Sequence, residues 1–317
     1  MRHSDKVLAT MESTQSAARS RIAASWRRSM ERHGLDPAAR DVAELETAAE
    51  LNERQERSGL LRSAATSQLD HLFSLVGSSG CTVVLTDTDG VILDQRCSDA
   101  DAPYFASWGL QAGANWSEHR EGTNGIGTCL VEERHLIVHR DQHFMAKNTA
   151  MSCIDSPIYG ANGELVGALD VSSARADQTE GFNKLISATV AQTARQIEAE
   201  TFRSTFSKDR IVIAGESKNE QNALVAVNGD DVIVGATRAA RKLFGWKLSG
   251  AVTPVAATDL FVGEGTHQGF ERGEKAALVK AITRAGGNMS EAAKALGIGR
   301  ATLYRRMKRL GLARDGH

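Results

Sequence analysis

Between positions 300 and 308 the chain places Arg300, Thr302, Tyr304, Arg305, Arg306 and Lys308, side chains of the types that meet nucleic acid. Guanidinium groups grip phosphate or a guanine edge with two prongs, an ammonium group neutralises phosphate, and hydroxyls bond either. The surrounding charge is segregated. Gly273 to His317 hold ten Lys/Arg against three Asp/Glu, a net of +7, while the 317-residue chain carries −1 and its first 272 residues therefore −8. A short basic unit joined to an acidic remainder suits phosphate neutralisation; the bland alternative is a solvated amphipathic helix.

Other residues could do chemistry of different kinds. His135, His139 and His143 are spaced by four behind Glu132 and Glu133, which on a helix would make a metal face. His135 to His139 reads better as a strand, so no metal site is expected. Cys81, Cys97, Cys129 and Cys153 are scattered without a C-x-x-C pair, so neither a structural metal nor a disulfide is expected. The glycine-rich EGTNGIGT at 121–128 lacks the Lys-Ser/Thr of a nucleotide loop and reads as a tight turn into a helix. A thiol-based enzyme would need a low-pKa cysteine with a resolving partner; no close pair is visible and an attached DNA reader would be unexplained, so no enzymatic activity and no cofactor are expected.

The elements that must position these groups can be read from pattern. Helical spacing over Glu274 to Ala285 ends at Gly286-Gly287; Asn288 caps a second helix, with Glu291 placed for a capping box; and after Gly297-Ile298-Gly299 a third helix carries Leu303, Met307 and Leu310 on one face. This is a helix-turn-helix whose third helix presents basic and polar groups on its other faces. Earlier, a helix from Ser16 stops at Gly34 and Pro37 after a frayed lead, and its arginines are expected to dock on the acidic domain rather than on DNA. A long helix follows, with Leu61, Ala65, Leu69, Leu72 and Val76 on one stripe. From Cys81 the period changes to that of strands: a hairpin around Asp89-Gly90, then strands at His135–His139, Met151–Ile158 and Glu164–Ser172. Asp177 to Ser204 returns to helix, striped by Phe182, Ile186, Val190, Thr193 and Ile197.

The C-terminal stretch resembles the helix-turn-helix of the Fis family in Ala292, Ala293, Leu296, Gly297, Ile298, Arg300, Thr302, Leu303, Tyr304 and Arg305. The resemblance implies that Arg300, Thr302, Tyr304, Arg305 and Lys308 face DNA. It departs from the family at Gly299, where a Ser or Asn cap is usual. The string IAASWRRSMERHGLDP resembles the opening of regulators of the acetoin-catabolism type. The middle resembles their GAF domain in NWSE (115–118), EGTNGIGT, His143-Phe144, Ser156-Pro157-Ile158 and GALD (167–170). A GAF domain implies a sensor pocket, for which Trp108 and Trp116 are candidate apolar walls and His139, His143, Cys153 and Asp155 candidate polar contacts, although each could equally satisfy the core. ALVAVNGDDVIVGATRAARKLFGW (223–246) resembles the start of a PAS domain, too short for a pocket of its own.

The expected class is α+β. It comprises an N-terminal helical region (1–57), a GAF-type antiparallel sheet with flanking helices (58–204), a degenerate PAS-like segment (205–262), a flexible linker (263–273) and an all-α helix-turn-helix (274–317). Regulators of the resembled type carry a central ATPase, but the chain has no G-x-x-x-x-G-K-[ST] and no Gly-Lys dipeptide, so sigma-54 remodelling is not expected. The function expected is ligand-responsive transcriptional regulation by a cytoplasmic homodimer without membrane association. Its partners would be double-stranded promoter DNA, a small-molecule effector and RNA polymerase. Redox or metal sensing through the GAF cysteines and histidines is the competing reading.

Overall fold

The computed structural model describes residues 2–12, 20–40, 44–175, 180–215, 222–261 and 269–312. The lead expected to fray is instead a helix, α1 (His3–Glu12), held by burial of Val7 against Trp26, Phe144 and Met145. α2 (Arg21–Arg27) starts on the Ser20 cap and continues as a π-helical turn over Arg28–Arg32; it ends at Gly34, whose φ of +67° favours glycine. The part of this helix expected at 16–19 lies outside the described residues. The next helical stretch is split at Ser58 into α3 (Ala48–Arg57), entered through a Thr47/Glu50 capping box, and α4 (Gly59–Val76).

β1 (Cys81–Thr86) and β2 (Ile92–Arg96) form the expected hairpin, with Gly90 at φ +82° and Asp87 accepting from the backbone N–H of Asp89 and Val91, each at 2.9 Å. Three short helices follow: α5 (Ala102–Ser107), α6 (Glu118–Glu121) and α7 (Gly125–Glu132). β3 (Leu136–His139), β4 (Ser152–Tyr159) and β5 (Leu165–Ser173) complete an antiparallel sheet of order β2-β1-β5-β4-β3.

Strand alternation divides this sheet between two cores. Val83, Leu85, Ile154, Leu169 and Val171 pack on α4 and on α8 (Glu180–Thr205), which bury the stripes read from the sequence except for Phe182, only partly buried, and add Ala64 and Ala194. Val84, Ile92, Val138, Cys153 and Ala168 face the other way, where Phe105, Trp116, Ile126 and Cys129 cover them. The irregular, glycine-rich side of the sheet is thus the side with chemistry.

β6 (Arg210–Ile213), which the sequence reading did not anticipate, pairs with β7 (Leu224–Val227), and β7 with β8 (Val232–Ala236), before α9 (Arg238–Leu243). Leu224 and Ala226 pack on Ala199 and Phe202 of α8. Arg241 is buried without an acid: its guanidinium donates to the carbonyls of Ala236 (2.9 Å), Lys247 (3.0 Å) and Gly250 (2.6 Å), and burial lowers its pKa.

Residues 1–253 and 254–317 are separate compact units. The second holds α10 (Ala257–Phe261), α11 (Gly269–Arg284), α12 (Met289–Ala295) and α13 (Arg300–Arg309). α11 begins earlier than expected and takes in Gly269 and Gly273 of the supposed linker; residues 262–268 lie outside the described set. Leu278, Ala292, Ala293, Leu303, Met307 and Leu310 form its core. Gly286, Gly287 and Gly297 adopt positive φ at the two turns. Of the expected capping box, Asn288 supplies its half, accepting from Ser290 N (3.0 Å) and Glu291 N (3.3 Å).

Candidate effector site and nucleic-acid interface

The β4–β5 register sets Cys153 opposite Ser172 and Asp155 opposite Asp170, all buried on the face covered by α7. α7 begins where it does because Gly122 turns the chain at φ +63° and Asn124 Oδ1 accepts from Gly127 N at 2.8 Å. Gly125 lies so close on β4 that a Cβ would overlap Asp155 Oδ2 and stand 2.5 Å from Cys153 Cβ. EGTNGIGT is therefore a close-packed turn and helix start, as read.

A directed row of hydrogen bonds runs through this site. His143 Nδ1 lies 2.9 Å from the Arg140 carbonyl, so it carries the proton, and Nε2, 3.3 Å from Cys153 Sγ, accepts from the thiol. Burial lowers the His143 pKa to about 4, keeping the ring neutral. Ser172 Oγ is 3.2 Å from the same sulfur and donates to Asp170 at 2.8 Å. Asp155 and Asp170 face each other across the strands, and neither side-chain oxygen of Asp155 has a hydrogen-bond partner among the described residues; burial foremost pushes both up, Asp170 to about 7 and Asp155, which also feels the Asp170 charge, well above the carboxylate range. The pair thus retains a proton at neutral pH. Burial, reinforced by these carboxyls, likewise pushes the Cys129 and Cys153 thiols well up. The row contains no cation.

Of the six predicted pocket residues, His143, Cys153 and Asp155 come together here. Trp116 is buried in the same core and donates from Nε1 to the Gly109 carbonyl at 2.9 Å. Trp108 lies at its margin against Tyr104, ring centroids 4.5 Å apart. His139 shares the parity of Ile137, which packs toward α4 and α8, and its Nδ1 is 2.6 Å from Ser152 Oγ. His135 Nε2 meets Ser187 Oγ of α8 at 2.5 Å. The three histidines do not converge. Asp170 and Ser172 were missed as site residues, although alternation through GALDVSS puts them on one face and only the cross-strand register reveals which.

The N-terminal signature has a structural role here. Arg28 donates to Glu118 Oε1 (2.7 Å) and Oε2 (2.8 Å) and to Glu132 (3.2 Å), and Ser25 Oγ donates to Glu118 at 3.0 Å. These bonds raise the Arg28 pKa, hydrogen bonding to Glu118 being the largest cause. Trp26 Nε1 donates to the Gln142 carbonyl (2.8 Å) and His3 Nε2 to the His143 carbonyl (2.9 Å). The docking is through one buried carboxylate and the 140–144 loop, rather than a diffuse acidic face.

In the second unit, Leu303 and Met307 bury one side of α13, leaving Arg300, Tyr304, Arg305, Arg306 and Lys308 exposed and Thr302 half-buried. Arg300 lies 5.8 Å from the Tyr304 ring centroid, and Arg305 donates to Thr302 Oγ1 at 3.4 Å. Arg306 instead pairs with Glu274 of α11 at 3.2 Å, as does Arg309. Helical geometry places Ala301, Arg305 and Lys308 opposite the core. Ala301 was missed as a surface that could meet a base because it carries no polar group.

This geometry agrees with comparison to known families. Residues 61–200 match the GAF domain, and residues 270–310 match the bacterial regulatory protein, Fis family. The chain thus carries a GAF domain and, C-terminal to it, a Fis-type helix-turn-helix. It is 31% identical over 231 residues to the acetoin catabolism regulatory protein of Cupriavidus necator, covering 72% of this chain and 35% of that protein. Identity is 25% to the acetoin dehydrogenase operon transcriptional activator AcoR of Bacillus subtilis, over 49% of this chain and 25% of the relative. It is also 25% to the propane 2-monooxygenase operon transcriptional activator MimR of Mycolicibacterium smegmatis, over 73% and 38%. The chain thus spans a quarter to little more than a third of these relatives. The E. coli DhaR(N)-DhaL complex shares the fold, with TM-score 0.53 at 12% identity, covering 73% of this chain and 78% of that one.

Proposed function

We propose that this chain is a ligand-responsive transcriptional regulator: a small uncharged metabolite enters beneath α7, and two copies of α13 read promoter DNA. The observation that carries this is the buried, cation-free hydrogen-bonded row from Asp170 through Ser172 and Cys153 to His143, with the Asp155 carboxyl beside it still without a hydrogen-bond partner among the described residues. A protonated carboxyl, a hydroxyl and a neutral imidazole suit a hydroxyl or carbonyl group, while a carboxylate would enter without a counter-ion. The names of the relatives, acetoin and propane oxidation among them, fit small catabolic compounds of this kind. A homodimer fits because a helix-turn-helix reads half-sites about 34 Å apart, and contact with RNA polymerase would complete activation. Sigma-54 remodelling is not assigned to these residues, which hold no phosphate loop. Redox sensing at Cys153 is disfavoured because the thiol is held protonated and donates to His143.

The test is thermal shift of the full chain against small ketones, hydroxyketones, alcohols and carboxylates. A midpoint rising with the logarithm of a neutral compound's concentration, and lost in Asp155→Asn, is expected. A response confined to carboxylates or divalent metals sinks the reading.

A further inference from the structure

We propose that Arg238 is a positioning residue that transmits the seating of α7 to the β6–β8 module and its 247–250 turn. The idea rests on α7 being the cover of the effector site, but its test uses no effector, so the two readings fail separately.

The two ends of α7 are held by one strand. At the N-terminal end Gly125 rests on Asp155 and Cys153 of β4. At the C-terminal end Glu133 takes a left-handed φ of +45°, unusual for a residue with a side chain, and its carbonyl accepts from Tyr159 Oη, also of β4, at 2.8 Å. The helix between is only about 12 Å long and stiff, so a group that lifts Gly125 from the strand tilts Glu133 as well.

Arg238 is placed to register that tilt. Its Nη2 donates to Glu133 Oε2 (3.0 Å), its guanidinium lies 4.1 Å from the Tyr159 ring centroid, and its Nη1 donates to the Gly163 carbonyl (3.0 Å). The ion pair alone is half in solvent and contributes little; the combination of stacking and two directed bonds is what fixes the guanidinium. Three residues along α9, Arg241 ties Lys247 and Gly250 by their carbonyls, while Gly250 N donates to the Asn162 carbonyl at 3.0 Å. Leu248 O packs so tightly on Gly163 that a Cβ there would overlap it. The turn that leads out of the first unit is therefore seated on the same β4–β5 turn that Arg238 grips.

Gly125→Ala supplies the displacement without a ligand, because the added Cβ must push α7 off Asp155. Amide hydrogen exchange on the full chain then reads the far end. We expect Gly125→Ala to speed exchange several-fold at Trp246 and Gly250, and to add nothing there once Arg238→Met is present. Faster exchange in α7 with Trp246 and Gly250 unchanged overturns the proposal, as does an equal effect of Gly125→Ala in both backgrounds. Should Gly125→Ala fail to fold by circular dichroism, Glu133→Gln in the otherwise unchanged chain must speed exchange at Gly250; no change there overturns it equally.

Discussion

Arg305 and Arg306 are neighbours in sequence with opposite surroundings. Arg305 lies on the free face of α13, whereas Arg306 and Arg309 share Glu274. Arg305→Ala is expected to weaken duplex DNA binding by about 1–3 kcal/mol and lower the salt slope by about one. Arg306→Ala should shift stability by about 0–1 kcal/mol, the range of an exposed pair, with a smaller change in slope. Fluorescence anisotropy across a salt series separates them, and identical slopes for the two variants would reverse the assignment. The division was not legible in the sequence, where both read as basic helix surface; the partner lies 32 positions upstream of Arg306. The buried acids are a second residue-scale case. Asp155 and Asp170 have folded pKa values raised above the unfolded ones, so their contribution is full below about pH 4 and falls as pH rises, the Asp170 share being lost as pH passes through about 7. The contribution of Asp170 to the wild-type melting temperature should fall between about pH 4 and about pH 7. Asp155→Asn should flatten that slope, and the difference between the two chains isolates the pair from other titrating groups. Cys153, Cys129 and Ser172, which face the pair, stay protonated over the window.

At the scale of elements, α2 owes its place to Glu118, whose side chain is 1% exposed. Arg28→Met removes the two-pronged partner of that buried carboxylate and leaves it the Ser25 hydroxyl and the His33 ring at 3.9 Å, which costs up to about 3–5 kcal/mol. Adding Glu118→Gln should recover part of the loss in chemical denaturation, and a full loss in the double variant would show that packing, not charge, holds α2. α4, α8 and the hairpin were legible because each obeys one local period and one stop signal. α1 was not, since its short apolar stripe is buried only by Trp26 and the distant Phe144 and Met145. β6 is a run of four residues that gains its meaning by pairing with β7. The same logic divides the candidate pocket: residue types flagged His143, Cys153 and Asp155, but cross-strand register was needed to add Asp170 and Ser172 and to turn His139 to the other face.

For the whole molecule, the region matched as a GAF domain begins at residue 61, yet the cover of its chemical face includes residues far ahead of that point. A fragment spanning 61–200 would lack Arg28, Ser25 and Trp26, exposing the inner faces of α6 and the 140–144 loop. It should melt well below residues 1–253, and equal midpoints by calorimetry would show that α1 and α2 are passengers. Because the His3 ring bonds the His143 carbonyl directly, α1 and the middle of the proposed effector site are neighbours in space. An affinity tag placed ahead of His3 is thus an addition beside the proposed effector site, and melting temperatures measured with and without it need not agree.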